Sequence, residues 1–297
     1  MRTSAAIRIG LWGLWLVLAT ALALGYAGAL HPIGDSLAVF RAQILFAMTL
    51  VSLGLRAAGD RGKALFGLGV VFLTTPALAM AYLERPEAGG LRIYQKNMLI
   101  TNPDLAPLEA DIRAMGPDVV TLQEVSKENR VLLAAIQDVL PSQHYCRFAG
   151  VGGVAVATRL SMVDGSGFCA KGLAGLQVQG PEGPLWLLSI HLHWPWPYQQ
   201  SSHLAEILPV IAALEGPIVV AGDFNMVRWS QALAEVRAAA RVKAAGPVLG
   251  TLPRYAPIAT FPIDQVMAPG GGVVVLRGLL GSDHYGLFGL VRVTPDD

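Results

Sequence analysis

Three long apolar runs fill the first 83 residues, and they restrict what this chain can fold into more than any other feature. Residues 9–30 include Leu11, Trp12, Leu14, Trp15, Leu16 and Val17, with no charge between Arg8 and His31. Residues 37–55 form a second run, broken only by Arg41 and Gln43 near one end. Residues 64–83 form a third, uncharged and carrying Pro76. A helix that crosses a bilayer needs about 20 apolar residues, and each run comes close to that. Buried helices of a soluble bundle would show polar faces, which these nearly lack. Three transmembrane helices are therefore expected, with Arg41 near enough to its helix end to snorkel to the headgroups.

Orientation follows from the basic residues. Arg2 and Arg8 precede the first run, Arg56, Arg61 and Lys63 separate the second from the third, and the loop at 31–36 has no Lys or Arg. By the positive-inside rule the N-terminus and second loop are cytoplasmic, and everything after Leu83 lies outside. The expected location is a bacterial inner membrane with a periplasmic or extracellular domain. A first run cleaved as a signal peptide near Ala27 or Ala29 would leave that domain on the same side. Residues 84–90, Glu-Arg-Pro-Glu-Ala-Gly-Gly, have the polar and Pro/Gly composition of a linker, so the division is 1–83 anchor, 84–90 linker and 91–297 main domain.

Residues 91–297 alternate strands and helices. Strands are expected at Leu91–Asn97, Asp118–Glu124, Gly152–Ala157, Leu185–His191, Ile218–Ala221 and Ile263–Met267, with a last one beginning at Ser282. Helices are expected after a cap at Asn102 with Pro103 in first position, from Ser126 through Leu140, over about 202–215 with a kink at Pro209, and from near Ser230. The strand interiors are apolar, as strands buried on both faces require. Their ends are not: Asn97, Glu124, His191, Asp223, Asn225, Asp264, Asp283 and His284 recur there, and ligands of such sheets gather at strand ends. Each residue alone could be a turn former, a cap or a solvated group; the repetition is what points to a site.

Four carboxylates converging on one place repel one another unless a cation joins them or some take up protons. Oxygen ligands from Asp, Glu and Asn suit Mg²⁺, with Mn²⁺ or Ca²⁺ as substitutes. No thiolate cluster or HExxH motif points to zinc. Two histidines beside such an ion suit phosphoester hydrolysis.

With Asn97, Leu122-Gln123-Glu124-Val125, Ser189-Ile190-His191-Leu192, Gly222-Asp223-Phe224-Asn225, Ile263-Asp264-Gln265-Val266 and Ser282-Asp283-His284 in this order, residues 91–297 resemble the endonuclease/exonuclease/phosphatase superfamily of deoxyribonuclease I-like fold. The resemblance implies an α+β fold, a four-layer α/β/β/α sandwich. It implies Glu124 as the main metal carboxylate with Asn97 and Asp283 close by. Asp223 and Asn225 would orient or deprotonate the attacking water, His191 and His284 would contact phosphate oxygens, and Asp264 would orient the His284 imidazole.

The implied activity is a membrane-tethered, Mg²⁺-dependent phosphodiesterase or nuclease; a phosphomonoesterase acting on lipid or inositol-type phosphates and an inactive membrane scaffold are the alternatives. The expected partners are the lipid bilayer and a phosphoester substrate, whether nucleic acid, lipid head group or small phosphodiester, with no protein partner evident. From Glu84 onward 16 Lys plus Arg face 19 Asp plus Glu, a net of −3, so duplex DNA, which is gripped by basic faces, is not favoured. Trp194 and Trp196 in the loop after His191 are candidates for the site's rim, where indoles could stack a base, meet the bilayer interface or brace the loop. Cys146 and Cys169 are the only cysteines, and an oxidising compartment permits their pairing.

Overall fold

The computed structural model describes residues 2–84, 86–148, 150, 152–255 and 259–295. It divides into two units, Met1–Leu83 and Glu84–Asp297.

The first unit is helical: α1 (Arg2–Leu24), α2 (Ile33–Ala38), α3 (Arg41–Ala57) and α4 (Arg61–Leu83). Two stretches, Ala5–Leu24 and Arg61–Leu83, are long and apolar enough to cross a membrane. The helix expected as a third span, α3, has 17 residues, about 26 Å at the rise of an α-helix, and is shorter than either. Arg41 does not snorkel. Its side chain is buried, donates to Gly25 O at 2.7 Å and lies 3.8 Å over the Tyr26 ring, which holds the turn after α1 against the start of α3.

In the second unit the strands are, in chain order, β1 (Leu91–Asn97), β2 (Val119–Val125), β3 (Ser142–Arg147), β4 (Gly153–Thr158), β5 (Phe168–Ala170), β6 (Leu173–Gly180) and β7 (Gly183–His191). There follow β8 (Ile218–Asp223), β9 (Lys243–Ala244), β10 (Leu252–Tyr255), β11 (Ala259–Phe261), β12 (Asp264–Ala268), β13 (Gly272–Arg277) and β14 (Gly286–Val291). The helices are α5 (Ala106–Met115), α6 (Val131–Ala135), α7 (Gln200–Ala212) and α8 (Gln231–Ala240). One six-stranded sheet runs β13-β14-β1-β2-β4-β3 and the other β5-β6-β7-β8-β12-β9, while β10 and β11 form a separate hairpin. Both sheets are mixed: β1–β2 and β7–β8 are parallel, and the other pairs within the sheets are antiparallel.

Alternation along the strands explains the layers. Ile93, Val119 and Val156 from the first sheet meet Leu176, Leu187 and Val219 from the second in one core. The residues between them, such as Tyr94, Val120 and Leu122, point the other way and pack with Leu108 and Ile112 of α5. On the second sheet Leu188, Ile190 and Val220 are likewise buried, as are Leu204, Ile207 and Ile211 of α7 and Leu233 and Val236 of α8. Cys146 of β3 and Cys169 of β5 form a disulfide, joining an edge strand of one sheet to an edge strand of the other.

Three expected boundaries move. The helix expected over Ser126–Leu140 shrinks to α6, although Ser126 N donates to Asn129 Oδ1 and Asn129 N to Ser126 Oγ (3.1 Å), the reciprocal bonds of a capping box, so that Ser126 still opens the turn leading into it. Asn102 does not cap α5: its Oδ1 accepts from Asp104 N and Asp104 Oδ1 from Ala106 N, so the helix starts three residues past Pro103. The last strand begins at Gly286, after a turn in which His284 N donates to Ser282 Oγ at 3.1 Å.

Candidate active site

Strand register sets the polar residues level with one another. Across β7 and β8, His191 pairs with Asp223, and across β8 and β12, Asp223 pairs with Asp264. In the other sheet Asn97 pairs with Gln123, next to Glu124. The β2–β4 ladder slips between Leu122 and Val125, and Glu124 takes a φ of 56°, as Asn225 takes 50°. Left-handed backbone is uncommon outside glycine and costs about 1–3 kcal/mol unless the surroundings enforce it. At Glu124 they do. Asn129 Nδ2 donates to its carbonyl at 3.0 Å, and Gly152, at φ +80°, lets the backbones meet, since a Cβ there would lie 2.8 Å from the Glu124 carbonyl carbon.

Asp223 is the centre. Its Oδ1 accepts from Asn225 N at 2.8 Å and its Oδ2 from Asn97 Nδ2 at 2.9 Å. His191 Nε2 stands 3.6 Å and His284 Nε2 3.9 Å from the same Oδ2. Asp264 Oδ2 lies 2.7 Å from His284 Nδ1, and its Oδ1 accepts from Gln95 Nε2 at 2.7 Å. Asn97 Nδ2 also donates to Glu124 Oε1 at 3.1 Å, and Ile100 N to Glu124 Oε2 at 2.9 Å. Asn225 Nδ2 donates to Leu192 O at 2.8 Å.

Burial and charge set the protonation states. Burial, and then repulsion from Asp264, push the Asp223 carboxyl up to about 6 against the pull of His284 and His191. Burial would raise Asp264 too, but the charge and hydrogen bond of His284, with bonds from Thr251 and Gln95, hold it below its ordinary value. Burial would lower His284, yet Asp264 and Asp223 outweigh it and carry the imidazole to about 10. At neutral pH the centre is thus a carboxylate–imidazolium–carboxylate arrangement.

Glu124, His191, Asp223, Asn225, Asp283 and His284 line one cleft of about 230 Å³, together with His193, Trp194 and Arg254. Asn97 and Asp264 stand behind it and hold its walls. Trp196, though exposed, is not among the residues lining it. A larger cavity of about 740 Å³ at Gly180–Gly183, Ala212–Ile218 and Pro269 contains none of these polar groups.

Three features escaped the sequence. A buried polar belt separates cleft from core: Gln95 Nε2 donates to Gln123 Oε1 (2.8 Å), Gln123 Nε2 to Ser189 Oγ (2.9 Å) and Ser189 Oγ to Leu122 O (3.0 Å). Lys96 is fully buried, its Nζ donating to Gly278 O at 3.1 Å, to Leu279 O at 2.7 Å and to His284 O. It anchors the loop that bears Asp283 and His284. Replacing Lys96 with Met strips three carbonyls of their donor, and about 3 kcal/mol of stability should go with them. A melting temperature lower by about 8 °C would register this in a unit of this size, and an unchanged one would dismiss the anchor. The signal available was three polar residues in succession, Gln95, Lys96 and Asn97, in a strand covered on both faces.

The third is His203 of α7, which carries the loop after His191. Its Nε2 lies 2.6 Å from Lys171 O and its Nδ1 accepts from His193 N at 3.3 Å, so the neutral ring satisfies both. Burial lowers it first of all; His193 and the Lys171 charge add to this, while the bond to Lys171 O and Glu206 oppose it, leaving it at about 4. The folded value lies below the unfolded one, so this contribution is complete above pH 6.5 and is lost as pH falls towards 4. Its loss amounts to about 3 kcal/mol. Denaturant titrations across that window should show the slope, and His203→Gln should flatten it; a slope unaltered by the substitution would assign the acid sensitivity elsewhere.

The donors fit a hard divalent cation. Glu124 keeps both oxygens on neutral N–H groups, Asp283 is exposed, with no hydrogen bond or ion pair among the described residues, and burial with the repulsion of Asp264 raises the Asp223 carboxyl. Asp223, Asp264 and His284 also form a compact ligand cluster. The other cluster, His144, Cys146 and Cys169, has its sulfurs engaged in the disulfide.

A model described as the Endonuclease/Exonuclease/phosphatase family matches residues 89–284. No curated protein matches. Similar solved structures include an endonuclease/exonuclease/phosphatase family protein from Leptotrichia buccalis C-1013-b, with a TM-score of 0.54, 15% identity, 68% of this chain covered and 100% of that one. Sphingomyelinase C from Streptomyces griseocarneus gives 0.51 and 16%, covering 68% and 99%. D. rerio TDP2 complexed with single strand DNA product gives 0.52 and 18%, covering 67% and 97%. At these identities the likeness establishes the fold.

Proposed function

This chain belongs to the endonuclease/exonuclease/phosphatase family, and from that premise we propose that it is a membrane-tethered, Mg²⁺-dependent phosphodiesterase whose catalytic domain lies outside the cytoplasm. The observation that carries the reading is the meeting of Glu124, His191, Asp223, Asn225, Asp283 and His284 in one cleft. Glu124 and Asp283 are the residues that would hold the ion, with Asn97 beside them on Glu124 Oε1. When bound, the ion supplies charge neutralisation on the phosphate and lowers the pKa of nearby water.

The chain's own residues do the rest. Asp223, ionised above about pH 6, accepts the proton of a water held by Asn225, and that water's oxygen attacks phosphorus in line with the leaving oxygen. His284, kept protonated by Asp264, and His191 donate to the non-bridging oxygens as charge develops there. Asp264 positions the imidazole and does not take the proton, a division of labour familiar from histidine–carboxylate pairs. A diester suits the charge balance of the cleft, because a dianionic monoester would add to Glu124, Asp223 and Asp283 with Arg254 as the one permanently charged cation lining it among the described residues.

Tethering rests on the helices. Phe72 and Leu73 of α4 are 77% and 78% exposed, which lipid tolerates and water does not. We read α3 as the third crossing, since its short span can be met by local bilayer thinning. Two crossings would leave the Cys146–Cys169 disulfide in the reducing cytosol.

Assaying the full chain in detergent against single-stranded DNA, RNA, sphingomyelin and a phosphomonoester tests the reading. Related folds include both a protein solved with a DNA product and a sphingomyelinase, which is why both classes are in the panel. Diester turnover should exceed monoester turnover at least tenfold. Trp194→Ala, at the cleft wall, should raise KM for the preferred substrate several-fold, as loss of a stacking or interfacial contact does. Monoester hydrolysis as the faster reaction would refute the diester assignment.

A further inference from the structure

Arg228, Arg237, Lys243 and Arg292 line a pocket of about 400 Å³ that shares no residue with the cleft. Among the described residues Glu84 is the one carboxylate in its lining. In a domain where acids outnumber bases, 19 to 16 from Glu84 onward, this is a marked concentration of positive charge. Arg228 is buried, with one guanidinium nitrogen donating to Glu84 Oε2 at 2.8 Å and the other to Ala245 O. Arg237 feels the Glu84 charge without a hydrogen bond to it and is partly desolvated. Arg292 donates to Gly270 O and to Glu87 Oε2.

The acids facing these cations are the more exposed partners. The Glu84 side chain is 55% exposed and that of Glu87 85%, whereas that of Arg228 is 8% exposed. Glu84 holds the position of an exchangeable anion, and planar guanidinium groups suit phosphate oxygens. Glu84 is also bonded directly to Leu83, the last residue of α4, and consecutive Cα atoms are about 3.8 Å apart. If α4 crosses the bilayer, as the proposed function has it, the residue at the rim of this pocket lies where lipid phosphates lie.

We propose that this pocket binds a phosphate group, and that in the tethered chain the phosphate is that of an anionic phospholipid. The bound head group displaces Glu84 and fixes the catalytic domain against the membrane surface. The assignment of the lipid rests on the membrane reading of α4; the phosphate site itself does not.

Melting of the full chain in uncharged detergent, with inorganic phosphate added at constant ionic strength, tests the site. The melting temperature should rise by about 3 °C near saturation. His284→Ala should show the same rise, Arg237→Gln should abolish it, and Glu84→Gln, which removes the internal competitor, should lower the phosphate concentration needed about threefold. Lys243→Gln serves if Arg237→Gln does not fold. The site is refuted if wild type shows no rise, or if the rise survives Arg237→Gln and disappears in His284→Ala, which would place the anion in the hydrolytic cleft. Reconstitution into bilayers with and without phosphatidylglycerol identifies the source. An Arg237-dependent gain with that lipid supports the lipid assignment, and its absence beside a response to inorganic phosphate overturns it. Alkaline extraction of the chain from membranes reports separately on whether α4 is inserted.

Discussion

Turnover of the preferred diester is expected to fall about 10³–10⁴-fold in His284→Ala and in Asp223→Asn, with KM within a few-fold of wild type. His284 is the one imidazole that touches both buried carboxylates, Asp264 at 2.7 Å and Asp223 at 3.9 Å. Removing it takes away the cation that faces the phosphate and leaves two acids with less reason to ionise. Asp223→Asn keeps the shape and one oxygen that can accept from Asn225 N or Asn97 Nδ2, but it cannot accept a proton. Asp264→Asn should cost less, about 10²-fold, since its part is to orient and charge the ring. Single-turnover kinetics would separate the chemical step from binding. If either of the first two variants lost only affinity, the cleft would be a binding site and the chemistry would have to be sought elsewhere.

Chelation should be as damaging. With EDTA, activity is expected to drop by at least about 10³-fold, and Mg²⁺ should restore it, Mn²⁺ too, because the oxygen donors set no demand for a softer metal. Glu124→Gln should raise the Mg²⁺ concentration needed for half activity by at least about tenfold with the unit still folded, its amide oxygen accepting from one of the two neutral donors, Asn97 Nδ2 or Ile100 N. Calorimetric titration of Mg²⁺ into wild type and variant gives a reading independent of turnover. Full activity in exhaustively chelated protein would overturn the metal assignment.

Much of this site was legible because a strand buried on both faces has little use for polar residues until it ends. The apolar run Ile218–Ala221 makes Asp223 conspicuous, and the same holds for His191 after Leu187-Leu188. What could not be read was whatever depends on a partner distant in sequence. Lys96 looks like an ordinary surface lysine until the 278–284 loop closes over it, and Gln95 looks idle until Asp264, 169 residues away, comes within 2.7 Å. Arg254 lies on the β10–β11 hairpin, a segment with no periodicity to assign it. The helices were legible as apolar runs, but the fate of Arg41 was not, because its stacking on Tyr26 depends on how the turn between α1 and α3 folds back.

The bond between Cys146 and Cys169 ties two outermost strands together, and it bears on how the enzyme can be prepared. Synthesised in a thiol-rich cytosol, the sandwich would lack its one covalent clasp along that flank. If the domain lies outside the cytoplasm, as proposed, export and the closing of this bond become parts of one requirement.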